Sequence, residues 1–139
     1  MAFTAQDVKK LREMTNVGMM DCKKALQATD GDMDKAVDWL REKGLAKAAK
    51  KADRIAAEGV AYATVIDGVG VVIEVNAETD FASKTDAFMG LVKNLCELVA
   101  KEAPADVDAL KACTYPGTNL TVTEKMQELV MSIGENMQI

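Results

Sequence analysis

Two carboxylates, Glu78 and Asp80, flank Thr79 and lead directly into Phe81, and side-chain chemistry in this chain concentrates on that short run. Paired acids do general acid–base work when they face one another across a substrate. Two positions apart at the end of a strand pattern they are more often solvated, and the rest of the sequence gives them no help. There is no histidine, and no serine or cysteine stands beside a recognisable base, so nucleophilic catalysis lacks its parts. Neither GxxxxGK[ST] nor GxGxxG occurs. Gly68-Val69-Gly70 precedes a strand pattern instead of a helix, so no nucleotide cradle is expected. Cys22, Cys96 and Cys113 stand far apart without a CxxC, and in a chain lacking histidine they make no zinc set. They read as buried thiols of a reducing compartment. These residues predict a protein that is not an enzyme and that holds no cofactor and no metal.

What remains is a corner with a phenylalanine on it. Residues 69–75 before the corner are rich in β-branched side chains, as a buried strand is; Phe88, Leu91, Val92, Leu95 and Val99 after it recur at helical spacing. Thr79 or Asp80 caps that helix, a carboxylate there suiting the positive helix end. From the residues alone the expectation is that Asp80 is a cap and no more and that Phe81 folds back onto the sheet; a contact group and an outward-pointing ring are the alternatives.

The elements that must position this corner follow along the chain. Residues 1–44 read as three short helices. Thr4 and Asp7 form a capping box, with Phe3 and Val8 as a hydrophobic staple. The first helix ends near Thr15-Asn16. The second carries Met19, Met20, Cys22, Ala25 and Leu26 and ends at Asp30-Gly31; Asp32 caps the third, whose end is marked by Gly44. At least one of Met19 and Met20 is expected inside the three-helix core. Residues 45–58, Ala-rich with interspersed Lys, read as a helical linker. Residues 60–66 and 69–75 are joined by Asp67-Gly68, which accepts the positive φ angles of a tight primed turn, and predict an antiparallel hairpin. One helix is expected over 80–102, stopped by Pro104, and a shorter one over 107–113. Another begins at Thr121 or Thr123 with Glu124 and stops at Gly134, and residues 136–139 open a third strand that the chain leaves unfinished. The fold class is therefore α+β. Its division is 1–54, a three-helix N-terminal domain with a helical linker, and 55–139, an antiparallel sheet packed with helices.

Composition narrows the partners. The net charge of −5 argues against a general nucleic-acid binder, which needs an excess of Lys and Arg. Between Arg41 and Arg54 six basic residues stand against two acids, a solvated helix face by default and an RNA contact only as a minority reading. Aromatics make up 4% of the chain, so its core is built from Ala, Val, Leu and Met. No apolar run reaches signal-peptide or membrane-span length, and a cytoplasmic chain without a membrane partner is expected.

Two stretches are more specific than any of this. Residues 15–26, Thr-Asn-Val-Gly-Met-Met-Asp-Cys-Lys-Lys-Ala-Leu, resemble the N-terminal signature of the translation elongation factor Ts family, and residues 74–81, Glu-Val-Asn-Ala-Glu-Thr-Asp-Phe, resemble its later corner motif. Gly134-Glu135-Asn136-Met137 is similar to the family's strand-opening motif, and the likeness runs in register along the whole chain. The resemblance implies a guanine-nucleotide exchange factor that binds GDP-loaded elongation factor Tu without covalent chemistry. It implies a ubiquitin-associated-like fold for the first three helices and a first core subdomain for the rest. Arg12, Met19 and Met20 match partner-contact positions. Asp80 and Phe81, with Ala82 and Ser83 beside them, match the corner that enters near the partner's magnesium site. Ala82 and Ser83 stand where the family commonly has Val and Ala, which shrinks the apolar surface at the corner. The family's second subdomain and C-terminal module are not in this sequence, so weaker binding and weaker exchange than in an intact factor are expected. Homodimerisation of the intact protein stays open. The rival expectation is a ubiquitin-associated-like module that grips a different protein through residues 17–20.

Overall fold

The computed structural model describes residues 3–139. Among them the elements run α1 (Ala5–Thr15), α2 (Met19–Ala28), α3 (Met33–Lys51), β1 (Glu58–Ile66), β2 (Val69–Ala77), α4 (Asp80–Ser83), α5 (Asp86–Glu102), α6 (Val107–Ala112), α7 (Val122–Ile133) and β3 (Met137–Gln138). This is the α+β class, helices first and then a sheet packed with helices. Two compact units divide the chain: residues up to Lys50 together with Gln127–Gly134, and Lys51–Met126 together with Glu135–Ile139. The segment Gln127–Gly134, expected with the second domain, thus groups with the first.

The first unit begins with the capping box. The Thr4 hydroxyl accepts from the Asp7 amide, and the Asp7 carboxylate accepts from the Thr4 amide at 2.7 Å, so two orphan donors of α1 are satisfied. Asn16, left-handed at φ 54°, closes the helix onto the Arg12 carbonyl. Asp32 accepts from the Lys35 amide at 3.0 Å and opens α3. Between these caps Val8, Leu11, Val17, Cys22, Leu26, Ala36 and Leu40 form one core, with Phe3 and Met131 packed against it. A fully buried leucine contributes about 2 kcal/mol and a cap about 1 kcal/mol. Packing therefore holds these short helices together more than capping does.

Gly44 does not end α3. The helix runs through it to Lys51, so only residues 45–51 of the expected linker are helical, and they continue α3 instead of standing apart. The glycine is buried because Met131 lies against it, a reason that has nothing to do with helix termination.

In the second unit β1 and β2 pair antiparallel in the register Val60↔Val75 and Tyr62↔Ile73, and β3 adds to β2 through Asn76↔Gln138 and Ala77↔Met137. Asp67 and Gly68 both have positive φ, 49° and 80°, as a primed two-residue turn requires. Val71, Ile73, Val75 and Ala77 alternate inward along β2, and α5 covers that face with Phe88, Leu91, Val92 and Leu95. The single helix expected over 80–102 is two helices. Thr85 breaks it: its hydroxyl donates to the Ala82 carbonyl at 2.8 Å and accepts from the Phe88 amide at 3.2 Å, closing one helix and opening the next.

Candidate functional site

The corner between β2 and α4 is built from two sides. Thr79, not Asp80, is the cap of α4: its hydroxyl oxygen accepts from the Ala82 amide at 3.4 Å. The same hydroxyl donates to Glu135 Oε2 at 2.6 Å, and the Thr79 amide donates to Glu135 Oε1 at 2.8 Å. Glu78 answers from the other strand, its Oε1 accepting from the Asn136 amide at 2.7 Å, with the Arg54 guanidinium 3.5 Å away. The buried Asn136 side chain donates to the carbonyls of Arg54 at 2.8 Å and Ala52 at 3.4 Å. The bonds to the Glu78 and Glu135 carboxylates are charge-assisted and lie in partly buried surroundings, the stronger kind. Glu78 and Asp80 are consequently not a catalytic pair. Glu78 is committed to backbone, while Asp80 lies on the surface with its carboxylate 3.3 Å from Lys84 Nζ.

Phe81 projects from this frame at 81% exposed, the outward one of the two readings. Asp80 lies exposed beside it. Ala82 and Ser83, grouped with them on sequence, turn inward at 4% and 7% exposed, and the Ser83 hydroxyl donates back to the Asp80 carbonyl at 2.9 Å. In the chain by itself these two side chains lie beneath the corner, while Asp80 and Phe81 stand on its surface.

The second group lies in the first unit. Met19 and Met20 are both on the surface, 50% and 66% exposed, against the expectation that at least one is core. The inward stripe of α2 is Cys22, Ala25 and Leu26, and the two methionines on its first turn, led by Gly18 without a side-chain cap, are not part of it. With Phe3, Val8 and the Lys23 stem they line a mostly apolar hollow of about 300 Å³. Arg12 is exposed on the last turn of α1.

Burial pushes the Cys22 and Cys96 thiols up, and burial pushes Tyr115 up as well, with a hydrogen bond from Asn94 opposing it. No cluster of three or more His, Cys, Asp or Glu that could hold a metal ion occurs among the described residues. Nor is any described helix long and apolar enough to cross a membrane.

Residue-level reading missed Glu135, Asn136 and Arg54. Their partners lie far off in sequence, 56 residues in the case of Thr79 and Glu135, and no periodicity reports such a pairing. The only signal was the resemblance of Gly134-Glu135-Asn136-Met137 to a motif.

Residues 78–139 match the family model described as elongation factor TS. The chain is 52% identical over 139 residues, all of its length, to a protein of Magnetococcus marinus named elongation factor Ts, of which it covers 46%. It is 52% identical over 137 residues to the protein of that name from Paramagnetospirillum magneticum and 48% identical over 137 residues to that of Bartonella tribocorum. It covers 44% of each, with 99% of its own length aligned. The chain thus spans a little under half the length of these relatives.

Proposed function

The chain belongs to the elongation factor Ts family, and from that premise we propose that it is a cytoplasmic guanine-nucleotide exchange factor for elongation factor Tu, acting on the GDP-loaded form. One observation carries the proposal: a phenylalanine held 81% exposed on a corner whose backbone is fixed from both sides. Other apolar side chains, such as Ile55 and Val72, are as exposed, but Phe81 is the one carried on a fixed corner, where burial against a partner would gain about 2 kcal/mol.

The mechanism follows from ordinary metal and packing chemistry. In the GTPase a magnesium ion bridges protein and diphosphate, and nucleotide affinity depends on the groups that keep the ion in place. Phe81 enters as an apolar wedge beside a packed helix and shifts it, since packed elements move between discrete arrangements instead of deforming continuously. Asp80 brings a carboxylate to the same place and repels the diphosphate. Ala82 and Ser83 act from beneath, keeping the ring presented. Arg12, Met19 and Met20 supply a separate contact surface on the GTPase, methionine being soft enough to fit an irregular partner. Linkage completes the cycle: a factor that weakens GDP binding is itself bound more weakly by the GDP-loaded partner, so incoming nucleotide releases it.

The test is release of a fluorescent GDP analogue from elongation factor Tu. Phe81→Ala should slow the stimulated release about tenfold, within the range of coupling energies between sites. Undiminished stimulation by that variant would remove the wedge. A second reading, a ubiquitin-associated-like module for a different protein, is favoured by the apolar hollow beside Met19 and Met20. It predicts that release is the same with and without Phe81.

A further inference from the structure

We propose that Glu135 is the positioning residue of the Phe81 corner, acting through Thr79, an inference that rests on the wedge reading above. The β2–β3 ladder ends in backbone pairing at Ala77↔Met137. The next two rungs keep the register, but each is made by a carboxylate standing in for a carbonyl: Glu78 on the Asn136 amide, then Glu135 on the Thr79 amide. The strands can therefore splay apart without leaving those amides unpaired.

Glu135 does more than close a rung. By accepting the Thr79 hydroxyl proton at 2.6 Å it fixes the rotor of that hydroxyl, which turns a lone pair toward the Ala82 amide. α4 is only four residues long, too short to hold its own direction, and the ring that matters is on its second residue. Both hydrogen-bond donors of Thr79 are thus tied to one carboxylate, and the presentation of Phe81 depends on it. Glutamine at position 135 loses the charge and one of the two acceptor atoms, which weakens the paired bonds to Thr79; alanine keeps neither.

The experiment follows stimulated release of the fluorescent GDP analogue from elongation factor Tu at rising concentrations of the protein. Glu135→Gln should lower the maximal stimulated rate about threefold and Glu135→Ala about tenfold, as weakening or loss of the charge-assisted bonds implies. Thr79→Val, which removes the hydroxyl alone, should resemble Glu135→Gln. In a Phe81→Ala background Glu135→Ala should change the rate less than twofold, because a misplaced alanine is no worse than a placed one. A merely stabilising role would not produce that loss of effect. Hydrogen exchange provides the control: in Glu135→Ala the Thr79 and Ala82 amides should exchange faster while those of α1 and α5 do not. If Phe81→Ala leaves release unchanged, the wedge reading falls and this proposal falls with it. If Phe81→Ala is slow but Glu135→Ala matches the parent, or multiplies the Phe81→Ala loss, this proposal alone is overturned. Should Glu135→Ala fail to fold, Glu135→Gln and Thr79→Val decide, and parental rates in both overturn it.

Discussion

A Cβ built on Gly44 would lie 2.9 Å from the Met131 sulfur and 3.3 Å from its Cγ, so the middle of α3 is bare because a methionine occupies the space. Glycine inside a helix ordinarily costs about 1 kcal/mol relative to alanine, and here packing opposes that gain. Gly44→Ala should leave the urea midpoint nearly unchanged, the helix gain offset by displacement of a flexible side chain. In a Met131→Ala background the same substitution should stabilise by about 1 kcal/mol. An equal effect in both backgrounds would show that the two residues do not compete for the space.

Phe81 and Phe88 are seven positions apart and should respond oppositely to the same replacement. Phe88 is completely buried under the sheet, and Phe88→Ala should cost about 3–5 kcal/mol. Phe81→Ala should move stability by less than about 0.5 kcal/mol while abolishing most of the stimulated release. Chemical denaturation of the two variants, beside the release assay, separates structural from functional aromatic residues.

The two candidate contact groups should separate kinetically. Met20→Ala trims an exposed contact and should raise the protein concentration giving half-maximal release about fivefold, with the maximal rate retained. Phe81→Ala should lower the maximal rate instead. Titrations in which both variants changed the same parameter would contradict the division of labour between the groups.

Stability should be flat with pH in the middle of the range and fall at both ends. The backbone bond from Thr4 holds the Asp7 carboxyl below its ordinary 3.8, and the backbone bond from Lys35 does the same for Asp32. A lowered folded value stabilises above the unfolded one, so this contribution is lost as pH falls below about 4. Burial raises the Cys22 and Cys96 thiols above 9.0 and Tyr115 above 10.0. Those contributions are complete below the unfolded values and disappear as pH climbs through the folded ones. Thermal midpoints from pH 2 to 11 should trace this plateau, and Asp7→Asn should flatten its acid side.

Local chemistry was legible in the sequence, and distant packing was not. Thr4 with Asp7, Asn16, Asp32 and Asp67-Gly68 all announced their roles because a cap or tight turn is a contact within a few residues. The strand and helix periods on either side of the corner were equally plain. Gly44 misled because a glycine that ends a helix and one that admits a neighbour look alike until Met131 is seen beside it. Thr85 was overlooked because one threonine within a helical apolar rhythm does not reveal whether its hydroxyl serves the helix behind or the helix ahead. Residue chemistry alone favours a Phe81 folded back onto the sheet, and only the family resemblance points it outward, because a spacing argument gives a side chain's position in the chain and not its direction. The corner that carries the ring is tied to Glu135, 54 residues later.

The three thiols are unequally sealed, Cys22 and Cys96 within the cores and Cys113 only half covered at the end of α6. An alkylating dye offered to the folded protein should therefore attach at one place without prior mutagenesis. The other two would take it up only when their own units open, so the order of labelling during gentle heating reads out which unit gives way first.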